Sequence, residues 1–241
     1  MPPDRHKMKR EVIITCEHAS CAVPSAFKSL FRGQGKLLRS HRGYDPHSID
    51  LATALATRLK CKLFLGTVTR LLVEPNRSLG HHALFSEFTR SISEPEQLEL
   101  LNAYYFPYRA AVEGEIRSRI RKRRTVLHLS IHTFTPVFDG KPRATDVGLL
   151  YDPARDGETS LMKAWQRQLS RQLPELRTRR NYPYQGRSDG FTTELRKKFP
   201  DAGYLGIEIE VRNSLRPTSA IWHKLTETFG TLARDFCVAG H

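Results

Sequence analysis

Two histidines and a pair of glutamates stand where apolar runs of this chain stop. His132 lies near the end of Thr125-Val-Leu-His-Leu-Ser-Ile-His132-Thr-Phe134, and His18 closes Val12-Ile-Ile-Thr-Cys-Glu-His18. Glu208 and Glu210 fall two residues apart in Tyr204-Leu-Gly-Ile-Glu-Ile-Glu210-Val-Arg-Asn213. Neutral imidazoles on rigid strand ends suit zinc, and a catalytic zinc takes three protein ligands and keeps a fourth position open for water. Asp45, in Arg42-Gly-Tyr-Asp45-Pro-His-Ser, is a candidate third ligand. Its place just before a helix suits a helix cap equally well, and Glu17, His47 and Asp50 compete for the same role. Side chains alternate along a strand, so Glu208 and Glu210 share a face. A carboxylate inside an apolar strand is costly unless it is paired or used. Glu210, nearer the strand end, suits the base that takes a proton from a metal-activated water; the plain alternative is a salt bridge to Arg212.

A second constellation is Asn76-Arg77, in Val73-Glu-Pro-Asn-Arg-Ser78. A guanidinium fork grips a carboxylate through two hydrogen bonds, and Arg70 just upstream is a further candidate. His81 and His82 read as loop residues. His128 is four residues behind His132, about 13 Å at the usual strand rise, which is too far to share a metal with it.

These residues need a frame that brings strand ends together. Strand-like runs cover residues 12–18, 62–69, 126–131, 147–151 and 204–211. Helical stripes cover residues 49–59, 94–123, 158–173 and 218–236. The stripe of the long second helix runs Leu98, Leu101, Tyr105, Tyr108, Val112, Ile116 and Ile120, with Pro107 expected to kink or split it. Strands separated by helices imply a three-layer α/β/α sandwich with a mixed, largely parallel central sheet. Ligand sites in such sheets form at the carboxyl ends of the strands. Two Gly/Pro-rich stretches, residues 135–143 and 181–190, read as loops at that edge.

The 241 residues suit one catalytic domain over 11–241, behind a basic tail over 1–10. Four scattered cysteines form no metal or disulfide spacing and point to a reducing, cytoplasmic setting. No run approaches the ~18 apolar residues of a membrane span. The net charge of +14 admits an acidic small molecule or nucleic acid as partner. Much of the excess is local, at residues 117–124 and 177–180.

The motifs resemble the N-formylglutamate amidohydrolase family. The matching pieces occur in order: Glu17-His18 with Val23-Pro24, Gly43-Tyr-Asp45, Glu74-Pro-Asn-Arg77, Ser130-Ile-His-Thr-Phe-Thr-Pro136, Pro183-Tyr-Gln-Gly-Arg-Ser-Asp-Gly190 and Glu208-Ile-Glu-Val-Arg-Asn213. The resemblance implies a fold related to zinc carboxypeptidases and aspartoacylase-like deacylases, with one zinc ion or another divalent metal. It implies metal ligation by His18 and His132. The His-x-x-Glu motif of the carboxypeptidases is absent, since Ala19-Ser20-Cys21 follows His18, and this hands the third position to Asp45. It further implies Glu210 as general base, Arg70 stabilising the oxyanion, and Asn76 and Arg77 gripping a substrate carboxylate. Tyr184, Arg187 and Asp189 would sit in a loop closing over the substrate, a small anionic N-acyl amino acid such as N-formylglutamate. The competing expectation is a nucleic-acid-binding protein on an inactive hydrolase fold, contacting its partner through residues 117–124.

Overall fold

Every position of one eleven-residue run after the first is buried, as expected of a strand covered on both faces. That run is the central strand of a six-stranded sheet in the computed structural model, which describes residues 8–239. In chain order the strands are β1 (Lys9–Cys16), β2 (Lys62–Leu65), β3 (Arg124–Phe134), the two-residue β4 (Val137–Phe138) and β5 (Lys141–Pro142), β6 (Val147–Leu150), β7 (Thr178–Arg180) and β8 (Tyr204–Arg212). The main sheet has the order β2-β1-β3-β8-β6-β7, and β4 with β5 forms a separate antiparallel hairpin. The first four strands of the main sheet are mutually parallel. β6 runs antiparallel to β8 and parallel to β7. The sheet is therefore mixed and mostly parallel, as expected.

Helices cover both faces. On one face α2 (Ser48–Leu59), α5 (Asp156–Gln172) and α7 (Ala220–Val238) pack Leu51, Leu55, Trp165, Leu169, Leu225 and Phe229 against the strands. The strands answer with Ile14, Leu127, Leu129, Ile131, Ile207 and Ile209. On the other face α4 (Phe106–Arg121) and α6 (Phe191–Lys198) cover Ile13, Val126 and Tyr204. Towards the carboxyl ends of the strands this second face turns polar, with Thr15, Ser130, His132, Glu208 and Glu210 at alternate positions.

The expected long helix divides into α3 (Glu94–Leu100), a π-helical turn (Leu101–Tyr105) and α4. Pro107 has no N–H to give and its ring crowds the carbonyl four residues back, and the wide turn lies just before it. A π turn inserts one residue into the helical phase. Downstream, Tyr105, Val112 and Ile116 point inward as expected, whereas upstream the stripe slips by one. Leu100 is fully buried in place of Leu101, and Leu98 is 53 % exposed.

Other expectations need correction at their edges. Residues 1–7 of the basic tail lie outside the described residues, and Lys9 and Arg10 already belong to β1. β2 ends at Leu65 rather than Thr69, where Gly66 N–H donates to the Cys16 carbonyl at 2.9 Å. No strand follows before α3. A 3-10 helix (Ser25–Phe31), the one-turn α1 (Gly35–Leu38), β7 and α6 carried no periodic signal. No helix among the described residues is long and apolar enough to cross a membrane.

Candidate active site

β3 and β8 are paired so that His132 lies level with Glu210, which puts both side chains on the same face at the carboxyl edge. β1 exits beside them, and the loop before α2 is tied to it by the Asp45 N–H donating to the His18 carbonyl at 3.0 Å. His47, not Asp45, is the residue preceding α2, which leaves the Asp45 side chain to turn inward. The result is a triangle of ligand atoms. His18 Nδ1 is 3.2 Å from Asp45 Oδ2, His132 Nδ1 is 3.0 Å from the same oxygen, and the two ring nitrogens are 3.2 Å apart. A tetrahedral zinc with bonds of about 2.0–2.1 Å has ligand–ligand edges of about 3.3 Å, so the donor set fits a metal ion in size and in chemistry. All three side chains are at most 3 % exposed.

The opposite ring nitrogens are also engaged. His18 Nε2 meets Glu74 Oε1 at 2.5 Å, and His132 Nε2 meets Ser130 Oγ at 2.9 Å and Glu17 Oε2 at 3.2 Å. A histidine whose Nε2–H donates to a carboxylate presents Nδ1 as a lone pair, the arrangement that orients metal-ligating imidazoles. Glu17 also accepts from Ser130 Oγ at 2.6 Å and Tyr108 Oη at 3.0 Å. Asp45 Oδ1 faces Arg70 Nη1 at 3.3 Å and His41 Nδ1 at 3.4 Å. Of the rival ligands, Glu17 supports His132 from behind, and His47 pairs with Asp50 at 3.4 Å away from the triangle.

Burial and charge pull these groups apart in pKa. Burial would raise the Glu17 carboxyl, but the hydrogen bond and charge of His132 hold it below the usual range. Glu74 and Asp45 are likewise held low against burial, Glu74 chiefly by Arg70 and Asp45 chiefly by His18. His132 moves the other way: burial would lower it, but hydrogen bonds to Asp45 and Glu17 raise it well above an ordinary imidazole. At Glu210 burial outweighs the opposing positive charge of His132. Burial pushes it up to about 8, and its Oε2 is buried without a hydrogen-bond partner. His128 is a structural residue, fully buried between Thr15 Oγ1 and Tyr204 Oη at 2.7 Å each, and burial lowers it to about 4.

A cavity of about 410 Å3 opens over the triangle, lined among others by Arg70, Asn76, Arg77, Tyr184, Asp189 and Glu210. Arg70 Nε donates to Glu74 Oε2 at 2.7 Å, so the guanidinium is clamped between Glu74 and Asp45. The side-chain Oδ1 of Asn76 accepts from the Phe191 N–H at 2.7 Å, and Arg77 donates to the Asp189 backbone carbonyl. The π turn and Pro107 set Tyr105 and Arg109 under this segment. Tyr105 Oη donates to the Arg77 carbonyl at 2.7 Å, and Arg109 Nη1 donates to the Pro75 carbonyl at 3.0 Å.

The loop over residues 181–190 crosses β6 at Gly148, where a Cβ would overlap the Tyr182 carbonyl oxygen and lie 3.1 Å from the Glu210 Cβ. It is anchored from below by Arg196, whose Nη1 donates to the Gly186 carbonyl at 2.6 Å while its Nε pairs with the fully buried Glu158 at 3.0 Å. Asp189 accepts from the Ser78 N–H at 3.2 Å, and Tyr184 Oη accepts from Arg143 at 2.9 Å. Arg187 departs from expectation: it is exposed and does not line the cavity, because the turn that buries Gly186 and Gly190 points position 187 to solvent.

Sequence reasoning assigned no role to Glu74 and took Glu17 only as a rival ligand. For Glu17 the signal was present. Alternation along Ile13, Thr15 and Glu17 carries it to the face of Ser130 and His132. Glu74 heads the Glu-Pro-Asn-Arg piece, but its role could not be read there, because its partner His18 is 56 residues away. Half of the six basic residues over 117–124 pair with acids: Arg117 with Glu113, Arg119 with Glu115, and Arg124 with Glu11 on the neighbouring strand.

The sequence pattern of the N-formylglutamate amidohydrolase family matches residues 10–216, and the chain belongs to that family. Membership makes it an amide-bond hydrolase. The structure of the gene product Atu2144 from Agrobacterium tumefaciens is similar at a TM-score of 0.81 and 26% identity, covering 98% of this chain and 93% of that one. N-formylglutamate amidohydrolase from Ralstonia eutropha JMP134 is similar at a TM-score of 0.68 and 19% identity, covering 96% and 94%. No match is found among curated proteins.

Proposed function

We propose that this chain is a zinc-dependent hydrolase that cleaves the amide bond of a small N-acyl amino acid, N-formylglutamate being the substrate in the family's description. The observation that carries the reading is the buried triangle of His18 Nδ1, His132 Nδ1 and Asp45 Oδ2 beside the unpartnered Glu210 Oε2. An ion held by those three atoms supplies Lewis acidity toward water and the amide carbonyl, zinc fitting best and other divalent metals being accommodated.

The chain's own residues do the rest. Glu210 takes a proton from the attacking water at Oε2 and returns it to the nitrogen of the leaving amine. A carboxyl raised to about 8 is matched to moving protons near neutral pH. Arg70, fixed by Glu74 and Asp45, offers positive charge to the developing oxyanion. Asn76 Nδ2 and Arg77 hold the α-carboxylate, while Asp189 fixes the loop that presents Tyr184 at the mouth. Glu17 and Glu74 hold the two imidazoles in the tautomer that ligates. Four cysteines with no disulfide among them support a reducing, cytoplasmic setting.

The test is elemental analysis of the purified protein with His18→Ala and His132→Ala, alongside formate release from N-formyl amino acids. About one equivalent of zinc, lost in both variants together with turnover, is expected. A folded wild-type protein that binds no metal when zinc is offered would overturn the reading.

A further inference from the structure

The substrate in the family's description, N-formylglutamate, brings two carboxylates, and the reading above places only the first. Of the cations that line the cavity, Arg70 is clamped between Glu74 and Asp45, and Arg77 is assigned with Asn76 to the α-carboxylate. Glu208 lines the cavity beside Asn76. Its Oε1 accepts from Thr192 Oγ1 at 2.5 Å, and a Cβ placed on Gly190 would lie 3.3 Å from Asn76 Oδ1 and 3.6 Å from Glu208 Oε1. Arg77 offsets that acid for one carboxylate, and a second carboxylate in the same corner would face it uncompensated.

The corner at Tyr184 is of the opposite character. Arg143 stands directly behind the β4–β5 hairpin, where its N–H donates to the Pro136 carbonyl at 2.8 Å. Its guanidinium lies against three aromatic rings, 5.7 Å from the centre of Phe134, 4.6 Å from Phe138 and 4.9 Å from Tyr184. Rings at such distances hold a guanidinium in place without neutralising it. Among the described residues no carboxylate forms an ion pair with Arg143. Of the five N–H donors of a guanidinium, one reaches the Thr135 carbonyl at 3.4 Å and one Tyr184 Oη at 2.9 Å. The remainder suffice for a two-point grip on a carboxylate. Tyr184 lines the cavity, and because its oxygen accepts from Arg143 its own O–H is left to donate. His41 lines the cavity as well. Its Nδ1 is buried without a hydrogen-bond partner, and Arg143 is among the charges that bear on it, behind burial, Asp45, Arg70 and His18. The acids that bear on Tyr184 are Glu210 and Asp45, and the reaction commits both.

Resting on the reading in which Asn76 and Arg77 hold the α-carboxylate, we propose that Arg143, with the Tyr184 hydroxyl and the His41 imidazole, receives the side-chain carboxylate of the substrate. Arg143 is then the specificity-determining residue for N-acyl derivatives of acidic amino acids. It touches no reacting atom, so its loss weakens binding of a dicarboxylate more than it slows the chemical step. A neutral side chain of the same shape leaves the guanidinium without its partner and is disfavoured for that reason.

The experiment compares kcat and KM of the zinc-loaded protein for N-formylglutamate and N-formylglutamine, in wild type and Arg143→Gln. Binding of free glutamate and free glutamine is measured by calorimetry on the same proteins. Wild type is expected to favour formylglutamate at least tenfold in kcat/KM, and Arg143→Gln to shrink that ratio at least tenfold, chiefly through KM for formylglutamate. A wild type that does not distinguish the two substrates overturns the proposal, as does a ratio unchanged in the variant or a loss confined to kcat. Should Arg143→Gln fail to fold, Tyr184→Phe decides in its place. It keeps the ring against the guanidinium, removes the hydroxyl and should shrink the ratio at least threefold, an unchanged ratio overturning the proposal. If no N-formyl amino acid turns over, the hydrolase reading fails, and the calorimetry still decides this one. Glutamate binding tighter than glutamine, with the difference lost in Arg143→Gln, sustains the subsite, and equal or absent binding ends it.

Discussion

Glu210→Gln separates catalysis from stability in this protein, and the structure gives the size of both effects. The carboxyl is buried, has an oxygen without a partner, and is raised from 4.5 to about 8. A carboxyl whose folded pKa is raised contributes stability that is fully present below its unfolded value near 4.5 and is lost as pH climbs through about 8. The span from 4.5 to about 8, at about 1.4 kcal/mol per pH unit, corresponds to about 5 kcal/mol as a ceiling. Glutamine has the same shape and no charge to desolvate. In metal-free protein the two forms should therefore melt together near pH 5, diverge up to about pH 8 and hold that gap to pH 9, with Glu210→Gln the more stable. For a chain of this length about 1 kcal/mol shifts Tm by about 2–4 °C, so the gap at pH 9 should reach several degrees and at most about 20 °C. Thermal melts across that pH range give the answer, and formate release measured on metal-loaded protein should fall about 10²- to 10⁴-fold. Variants that melt together at every pH, or a glutamine form that loses stability as pH rises, would refute the argument that Glu210 is a desolvated carboxyl held in place for its reaction.

Glu17→Gln removes the negative charge behind His132 and should weaken zinc binding about 10- to 100-fold in a competition titration with a chromophoric chelator, with the circular dichroism spectrum unchanged. Because His132 is held protonated above the ordinary imidazole range until metal displaces the proton, zinc affinity of the wild type should rise with pH and loading should release acid into weakly buffered solution. Gly148→Ala should force the Tyr182 backbone away from β6, costing about 1–3 kcal/mol in urea unfolding and raising KM more than it lowers kcat. Glu158→Gln leaves the buried Arg196 without its counter-charge and should cost about 3–5 kcal/mol. Protease cleavage within residues 181–190 should speed up in that variant.

The parts of the molecule that announced themselves were those whose burial is continuous. β3 and β8 are largely apolar runs, and the polar residues that interrupt them include Ser130, His132, Glu208 and Glu210 at the site and His128 behind it. Their order in the sheet, and the reversal of β6, left no trace, because a four-residue apolar strand reads the same in either direction. α6 was missed because Phe-Thr-Thr-Glu-Leu-Arg-Lys-Lys is short and polar on its outer face, and β7 because two of its three residues are exposed arginines. The phase of the long helix was misread upstream of Pro107 since a π turn adds a residue that no fixed period anticipates. Asp45 was one of several candidates, favoured because no His-x-x-Glu motif follows His18. Its geometry depends on a left-handed turn at His47, φ 69°, that alternation and helical periods do not encode.

The two outermost strands have a consequence for how molecules of this protein meet one another. β2 has four residues and begins with the exposed Lys62; β7 has three, and Arg179 and Arg180 are exposed. Short borders of this kind give an incoming strand little backbone to pair with, and the exposed arginines of β7 add positive charge that disfavours a second copy. Part of the surplus of positive charge is thus placed where a six-stranded sheet would otherwise grow from molecule to molecule. Concentrated solutions should therefore resist ordered β aggregation through the borders of the main sheet, and less so once salt screens the arginines of β7.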